Sequence, residues 1–515
     1  MTDFLNETLP TAAPAHLGAR IAKDLAAVSS GTALASVFGT IVIFVIPRLV
    51  TVEDFGYWRV FLLYSGYAGF LHFGLIEGAL LLWAGKPFRV IRPALRSSLK
   101  FIFFQQVALL ATGTLFCLTL LHPKYWLVSI AVLLFAALQN ITALLLYALQ
   151  ATREFGAVGV AVSIPSGGFL ILVIACYFVK IADYRMLIVS YLLGWTFLLL
   201  FLWNRLQPLK SSAGVAARSI GKQLIISGWP IMLANLAYSV VQSADKIVVN
   251  ATASIYGFAQ YTLAASVMAV PIAAIAAVSR VFFPHIAACA PEHHEKTYGL
   301  SAKLAFLCWS LTVPYYLVLA RVVPIMLPKY LEGLPYAKVL LCGTVFLGSI
   351  QILQLSFSNI YGRQRQFLLS ASVAVAVSLL LALLAATQLH SLTAVAASQV
   401  ISALIWWQIN EWNLRDVSGQ KWRNWAQLLF LFGWSVLSLW ATLELASGLF
   451  VRVMLYYLLT SVFLVWPGSR EVSSCCRMVF AAGHTWRGRI HLDRPDNGSD
   501  PNVVPCPPTV FKAID

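Results

Sequence analysis

The sequence predicts an all-α integral membrane protein with about 14 transmembrane helices, and three observations predict it. The 515 residues are 60% hydrophobic and only 11% charged, whereas an average soluble domain is about a quarter charged. The apolar residues form continuous runs of spanning length rather than the alternating pattern of a barrel strand. Lys and Arg collect between the runs, mostly between alternate ones. A soluble fold of this composition would leave too much apolar surface in water. Lipid removes that objection, provided each spanning backbone satisfies its hydrogen bonds within a helix.

In order, the runs cover roughly 28–47, 60–84, 100–121, 125–150, 156–178, 184–203, 223–249, 257–283, 301–326, 336–361, 367–388, 391–410, 424–446 and 449–467. Residues 1–27 are mostly polar and contain proline, and no small-residue cleavage site follows the first run, which is therefore expected to be retained. The net charge of +16 reads as membrane topology, so no nucleic-acid partner is expected. With the N-terminus inside, the inward segments carry Lys86, Arg89, Arg92, Arg96, Arg153, Arg205, Arg363 and Arg415 among many others. The outward ones carry fewer, among them Arg48, Arg59, Lys124, Arg185 and Lys246. The bias expects a multi-pass protein with both termini in the cytoplasm. The eight cysteines show no metal-ligand spacing and imply no disulfide. Residues 468–515 are polar and Pro-rich, as expected of a disordered cytoplasmic tail.

Two short similarities recur one six-helix period apart. Phe55-Gly56-Tyr57 leads into the second run and Tyr256-Gly257-Phe258 opens the eighth; Arg153-Glu154-Phe155 follows the fourth and Arg365-Gln366-Phe367 the tenth. Six is even, so the halves share one orientation, the parallel-repeat plan in which a substrate path lies between them. The expected organisation is a cytoplasmic segment (1–27), an N-terminal six-helix lobe (28–210) and a C-terminal six-helix lobe (211–415). Two additional helices (416–467) and the tail (468–515) follow.

The stretch Pro47-Arg48-Leu49-Val50-Thr51-Val52-Glu53-Asp54-Phe55-Gly56-Tyr57, followed by Gly69, Gly74 and Gly78, resembles the first loop and second helix of polysaccharide-biosynthesis flippases. Gly228-Trp229-Pro230, Ala244-Asp245-Lys246, Tyr256 to Tyr261 and Pro284 are similar to their counterparts in the second half. The resemblance covers about residues 28–415. It points to the multidrug/oligosaccharidyl-lipid/polysaccharide exporter superfamily, and within it to the O-antigen and exopolysaccharide repeat-unit flippases. It implies two six-helix lobes around a central cavity, a bacterial cytoplasmic (inner) membrane and a polyprenyl-diphosphate-linked oligosaccharide as substrate. A polysaccharide polymerase and glycosyltransferases are the implied partners.

Polar side chains inside spans are expensive, so each is a functional hypothesis. Asn235, Ser239, Gln242 and Lys246 in the seventh run share one helical face. They suit either a hydrated wall offering hydroxyl, amide and ammonium groups or hydrogen-bond glue between helices. Arg48, Arg59, Lys246 and Arg280 lie in or at the ends of the helices that, by the resemblance, line the cavity. Guanidinium grips diphosphate oxygens in pairs and lysine acts as a point charge, while the competing reading of Arg48 and Arg59 is snorkelling to the interface. Glu77 is expected to serve as an ion-coupling carboxylate or as the partner of a cavity arginine, and Asp245 as the charge partner of Lys246. His72 reads as a packed interior histidine, and His285, His293 and His294 form no closed metal-ligand set. No phosphate-gripping loop, nucleophile elbow or catalytic carboxylate pair is visible. The expectation is a membrane transporter without cofactor or metal. A cation-coupled multidrug antiporter and a lipid II flippase are the alternatives from the same superfamily, and a membrane polymerase or ligase would need a long outer loop.

Overall fold

A computed structural model describes residues 14–180, 183–207, 217–268, 272, 294–418 and 422–465. The described residues are helical throughout, with no strand among them. Among the described residues, eleven helices are long and apolar enough to cross a membrane. These account for all but three of the fourteen runs. The second run is broken, the eighth extends beyond the described residues, and the fourteenth forms a 17-residue helix, Leu449–Val465. The chain is a multi-pass helical membrane protein.

It divides into two compact units, Met1–Leu263 and Ala264–Asp515. Unit 1 contains α1 (Pro14–Leu49), α2 (Val52–Ala68), α3 (Leu75–Trp83), α4 (Phe88–Leu120), α5 (Trp126–Ala151), α6 (Phe155–Phe178), α7 (Tyr184–Leu206) and α8 (Ala217–Thr252). The start of α9 (Ile255–Val267) also belongs to it. The ends of these helices alternate between two faces. At one, Tyr57, at the start of α2, lies 6.4 Å from Tyr125 and 5.1 Å from Tyr184, ring centre to ring centre, an aromatic cluster of the kind found at a membrane–water interface. At the other, the Gly85 amide donates to the Ala151 carbonyl (3.0 Å), Arg205 pairs with Glu154 (2.9 Å) and Arg92 donates to the Gln207 carbonyl (2.9 Å). Tyr57, Tyr125 and Tyr184 thus mark one end of unit 1, and the Arg92 and Arg205 contacts the other.

Small residues let these helices approach at backbone distance. A Cβ built on Gly31 of α1 would lie 1.9 Å from the Gly159 carbonyl oxygen of α6. This is the association mode expected where lipid supplies no hydrophobic drive between helices. An aromatic core of Trp58, Phe61, Phe135, Phe169 and Tyr191 fills the space among α2, α5, α6 and α7, with ring centres 5.2 to 6.0 Å apart.

The second run, expected as one span over 60–84, is two helices. After Ala68 the chain turns through Gly69 to Gly74, with Phe73 at φ 52° and Gly74 at φ 86°. The carbonyls released by the turn are not left bare. Asn140 donates to Ala68 O (3.1 Å), while Gln105 (3.3 Å) and Gln106 (3.1 Å) donate to Leu71 O. Below the turn, α3 lies directly on α8: a Cβ on Gly228 would meet Gly74 O at 2.0 Å, and one on Gly78 would meet Leu224 O at 1.9 Å.

Unit 2 contains α10 (His294–Thr312), α11 (Tyr315–Met326), α12 (Gly333–Ser349), a π-helical turn (Ile350–Gln354) and α13 (Leu355–Ile360). It continues with α14 (Gln364–Gln388), α15 (Leu392–Ser418), α16 (Trp422–Leu445) and α17 (Leu449–Val465). Its core is built on Phe306, Trp309, Phe346 and Trp407, none more than 1% exposed. The twelfth run, expected to end at 410, continues as helix to Ser418. Arg280, Pro284, His285, His293, residues 1–13 and the tail 468–515 lie outside the described residues.

Candidate functional site

Why α2 can carry a site follows from its two faces. Thr51 caps it, its hydroxyl accepting from the Asp54 amide (3.1 Å), with Glu53 and Asp54 in the first turn, where carboxylates favour the helix dipole. Phe55, Trp58, Phe61, Ser65 and Ala68 are buried toward the core. Arg59, Leu62, Leu63, Gly66 and Tyr67 occupy the opposite face and, with Ser239, Gln242, Ser243 and Lys246 of α8 and Thr262 of α9, line a cavity of about 290 Å³.

Hydrogen bonds hold its walls in register. The Tyr67 hydroxyl lies 2.6 Å from Ser243 Oγ and ties α2 to α8, and Tyr64 OH accepts from Asn250 Nδ2 (3.0 Å) nearer the aromatic end. Arg59 Nη2 donates to the Thr262 carbonyl (3.2 Å), and its guanidinium lies 5.7 Å from the centre of the Phe55 ring. Lys246 Nζ donates to the Gln242 carbonyl (2.6 Å) and sits 3.7 Å from Asp245 Oδ1; its side chain is 23% exposed and that of Asp245 only 1%. Asp245 lies behind the wall, with Oδ2 accepting from Tyr261 OH (2.7 Å). Gln242 Nε2 donates to Tyr238 OH. The lining residues therefore carry one guanidinium, one ammonium, four side-chain hydroxyls belonging to Tyr67, Ser239, Ser243 and Thr262, and a carboxamide. No carboxylate is among the cavity's described lining residues.

Of the residues expected from the sequence, the structure brings Arg59, Ser239, Gln242 and Lys246 together around this space, with Asp245 beside Lys246. Asn235 stays on the α8 stripe but is exposed and outside the lining, its carbonyl accepting from Ser239 Oγ (2.9 Å). Arg48 is exposed near the end of α1, also outside the lining. Arg280 is outside the described residues. Glu77 lies in α3 against His72, with Oε2 3.5 Å from Nδ1, rather than beside Arg48 or Arg59. His72 Nδ1 accepts the Gly74 amide (3.1 Å), which makes this buried histidine part of the turn between α2 and α3.

Sequence reasoning missed Tyr67 and Ser243. Ser243 is one turn beyond Ser239, so the helical period already placed it beside the stripe. Tyr67 shares a face with Arg59 but, inside an aromatic-rich run, reads as core.

No protein-family model matches this chain, and no curated protein matches it in sequence. Solved structures do match in fold. A structure described as the lipid II flippase MurJ in an inward closed conformation superposes with a TM-score of 0.63 at 12% identity, over 85% of this chain and 98% of that one. A multidrug-resistance MATE family transporter of the MOP superfamily matches in its inward-facing form at 0.57 (14% identity, 76% and 96% covered). Its outward-facing counterpart matches at 0.53 (16% identity, 78% and 95% covered). The fold is that of these MATE and MurJ structures.

Proposed function

We propose that this protein is a flippase that carries polyprenyl-diphosphate-linked oligosaccharide repeat units from the cytoplasmic to the periplasmic leaflet of a bacterial inner membrane, for cell-surface polysaccharide synthesis. The observation that carries the reading is the cavity lining: Arg59 and Lys246 with hydroxyl and amide groups around them and no carboxylate among them. A diphosphate needs its charge neutralised in a low dielectric, and a sugar needs hydroxyl and amide partners. Lys246 is held by Asp245 and the Gln242 carbonyl until an anion arrives. The lipid tail stays in the bilayer while the head group crosses. Two six-helix lobes, 28–210 and 211–415, exposing the substrate path alternately to the two sides, complete the proposed cycle. Cytoplasmic termini, and glycosyltransferases and a polymerase as functional partners, belong to the same proposal.

A cation-carrying multidrug antiporter is the weaker reading, because an organic cation calls for an acidic wall and the acidic Asp245 is turned away behind Lys246. The test uses proteoliposomes containing the full chain. A fluorescent polyprenyl-diphosphate oligosaccharide, lipid II and a cationic dye are offered in parallel, and arrival in the opposite leaflet or lumen is followed. Preferential flipping of the oligosaccharide lipid is expected; dye transport without lipid flipping would end the proposal, and a preference for lipid II would reassign the cargo. Glycosyltransferase and polymerase genes beside this one would support the same substrate class.

A further inference from the structure

Glu411 belongs to unit 2 and plays no part in the cavity above. It lies on α15 and is 1% exposed, about 7–8 Å of helix rise inside the end of that apolar span at Asp416. Neutral donors from three other segments converge on it. Tyr298 OH of α10 reaches Oε1 at 2.5 Å, and Gln354 Nε2 of the π-helical turn reaches the same oxygen at 2.9 Å. Trp425 Nε1 of α16 reaches Oε2 at 3.2 Å. Tyr298 and Gln354 are 0% exposed. A π-helical turn inside an α-helical span is a feature frequent at functional sites, and here Gln354 closes it.

Among the described residues, no basic side chain is at ion-pair distance from Glu411. Arg415, one turn further along α15, stacks over Trp412 (4.1 Å) and faces Asp416 (3.4 Å). Arg363, at the start of α14, donates to the Asn413 carbonyl and faces Asp416 at 3.9 Å. Among the described residues, the titratable group in contact with Glu411 is Tyr298 alone; the π-helical turn and α16 contribute an amide and an indole. A second observation points to a ligand. The Gln354 Oε1 atom, held near the same carboxylate by its own amide nitrogen, is buried without a hydrogen-bond partner.

An ionised carboxylate here is a full charge held by dipoles alone, which burial penalises. The same partners also fit the neutral acid. The Tyr298 hydroxyl rotates, donating to the carboxylate or accepting from the protonated acid across one O···O contact. A metal ion needs several oxygen ligands of its own and would have to displace the donors already on Oε1; a proton displaces none.

We infer that Glu411 is a proton-binding site of unit 2, a carboxylate that takes one proton from hydronium, leaving water, and gives it back as the four segments it joins rearrange. Nothing in this depends on the cavity or its cargo, so the two readings stand or fall separately.

The test uses the full chain in lipid nanodiscs as wild type, Glu411→Gln and Tyr298→Phe. The protonated-carboxyl infrared band and dye-reported proton uptake are followed across pH. Glu411→Gln is expected to lose one carboxyl band and take up about one proton fewer per chain. Tyr298→Phe should keep the band but shift its appearance along the pH axis by roughly one to two pH units, the worth of one hydrogen bond to a charged group. Uptake and spectra unchanged in a folded Glu411→Gln protein overturn the proposal, even if its thermal stability falls, because Glu411 is then a structural junction. If that variant does not fold, an unshifted band in Tyr298→Phe overturns it instead.

Discussion

Arg59 and Lys246 face the same space, whereas Arg48 lies exposed outside it. In a transport assay with protein abundance held equal, Arg59→Ala and Lys246→Ala should each lower flipping by about tenfold or more, the scale of a lost charge-assisted hydrogen bond. Arg48→Ala should leave it nearly unchanged, and Arg59→Lys should recover only part, since an ammonium cannot reproduce the guanidinium fork. Wild-type flipping by Arg59→Ala and Lys246→Ala would remove both residues from the substrate path. Gly66 offers a complementary probe. It lines the cavity and a Cβ there would meet nothing within 4 Å. Gly66→Trp should therefore fold, fill the space and abolish transport; a folded variant with normal flipping would mean that substrate does not enter here. At this scale the sequence was half legible. The i, i+4, i+7, i+11 stripe of α8 revealed Ser239, Gln242 and Lys246, because polar groups inside an apolar run stand out. Tyr67 did not stand out, its ring hiding its hydroxyl. Glu411 escaped because the apolar run fades around Asn410, although the helix continues to Ser418.

The contact between α3 and α8 has room for glycine and little else. Gly78→Ala and Gly228→Ala each place a methyl group within 2.3 Å of backbone atoms that cannot swing aside. Each should destabilise unit 1 by about 1–3 kcal/mol, the usual cost of overpacking, read as a lower melting midpoint in detergent. Gly66→Ala is the control and should change it little. Unchanged melting in both would show that the helices can part without cost. The sequence carried these glycines but not their purpose. Phe70, Leu71, Phe73 and Leu75 keep the second run apolar, so hydropathy draws one helix through a place where the backbone turns. What makes the turn possible are amides on α4 and α5, and a one-dimensional reading cannot place Gln105, Gln106 or Asn140 beside it.

At the scale of the whole chain, hydropathy was the strongest guide, because lipid imposes span length and helical hydrogen bonding on every segment. The grouping of helices into units was less legible. The six-helix period suggests a seam near residue 210, while the division into compact units falls after Leu263, with α8 packed on α3 and α4. Packing depends on which glycines meet, and a repeat in the sequence does not record that. Sidedness can be measured directly. With the eight native cysteines replaced by serine, Lys124→Cys and Arg153→Cys place single thiols at opposite ends of α5. In intact cells a membrane-impermeant maleimide should label position 124 and spare position 153. The reverse pattern would invert the proposed topology.

The turn between α2 and α3 bears on how tightly this membrane protein can seal. An interrupted helix at that depth ordinarily recruits water to its bare carbonyls, and a file of water conducts protons. Here the amides of Asn140, Gln105 and Gln106 donate to two of those carbonyls instead. The chain thus has a joint in its second span whose Ala68 and Leu71 carbonyls are paired within the protein.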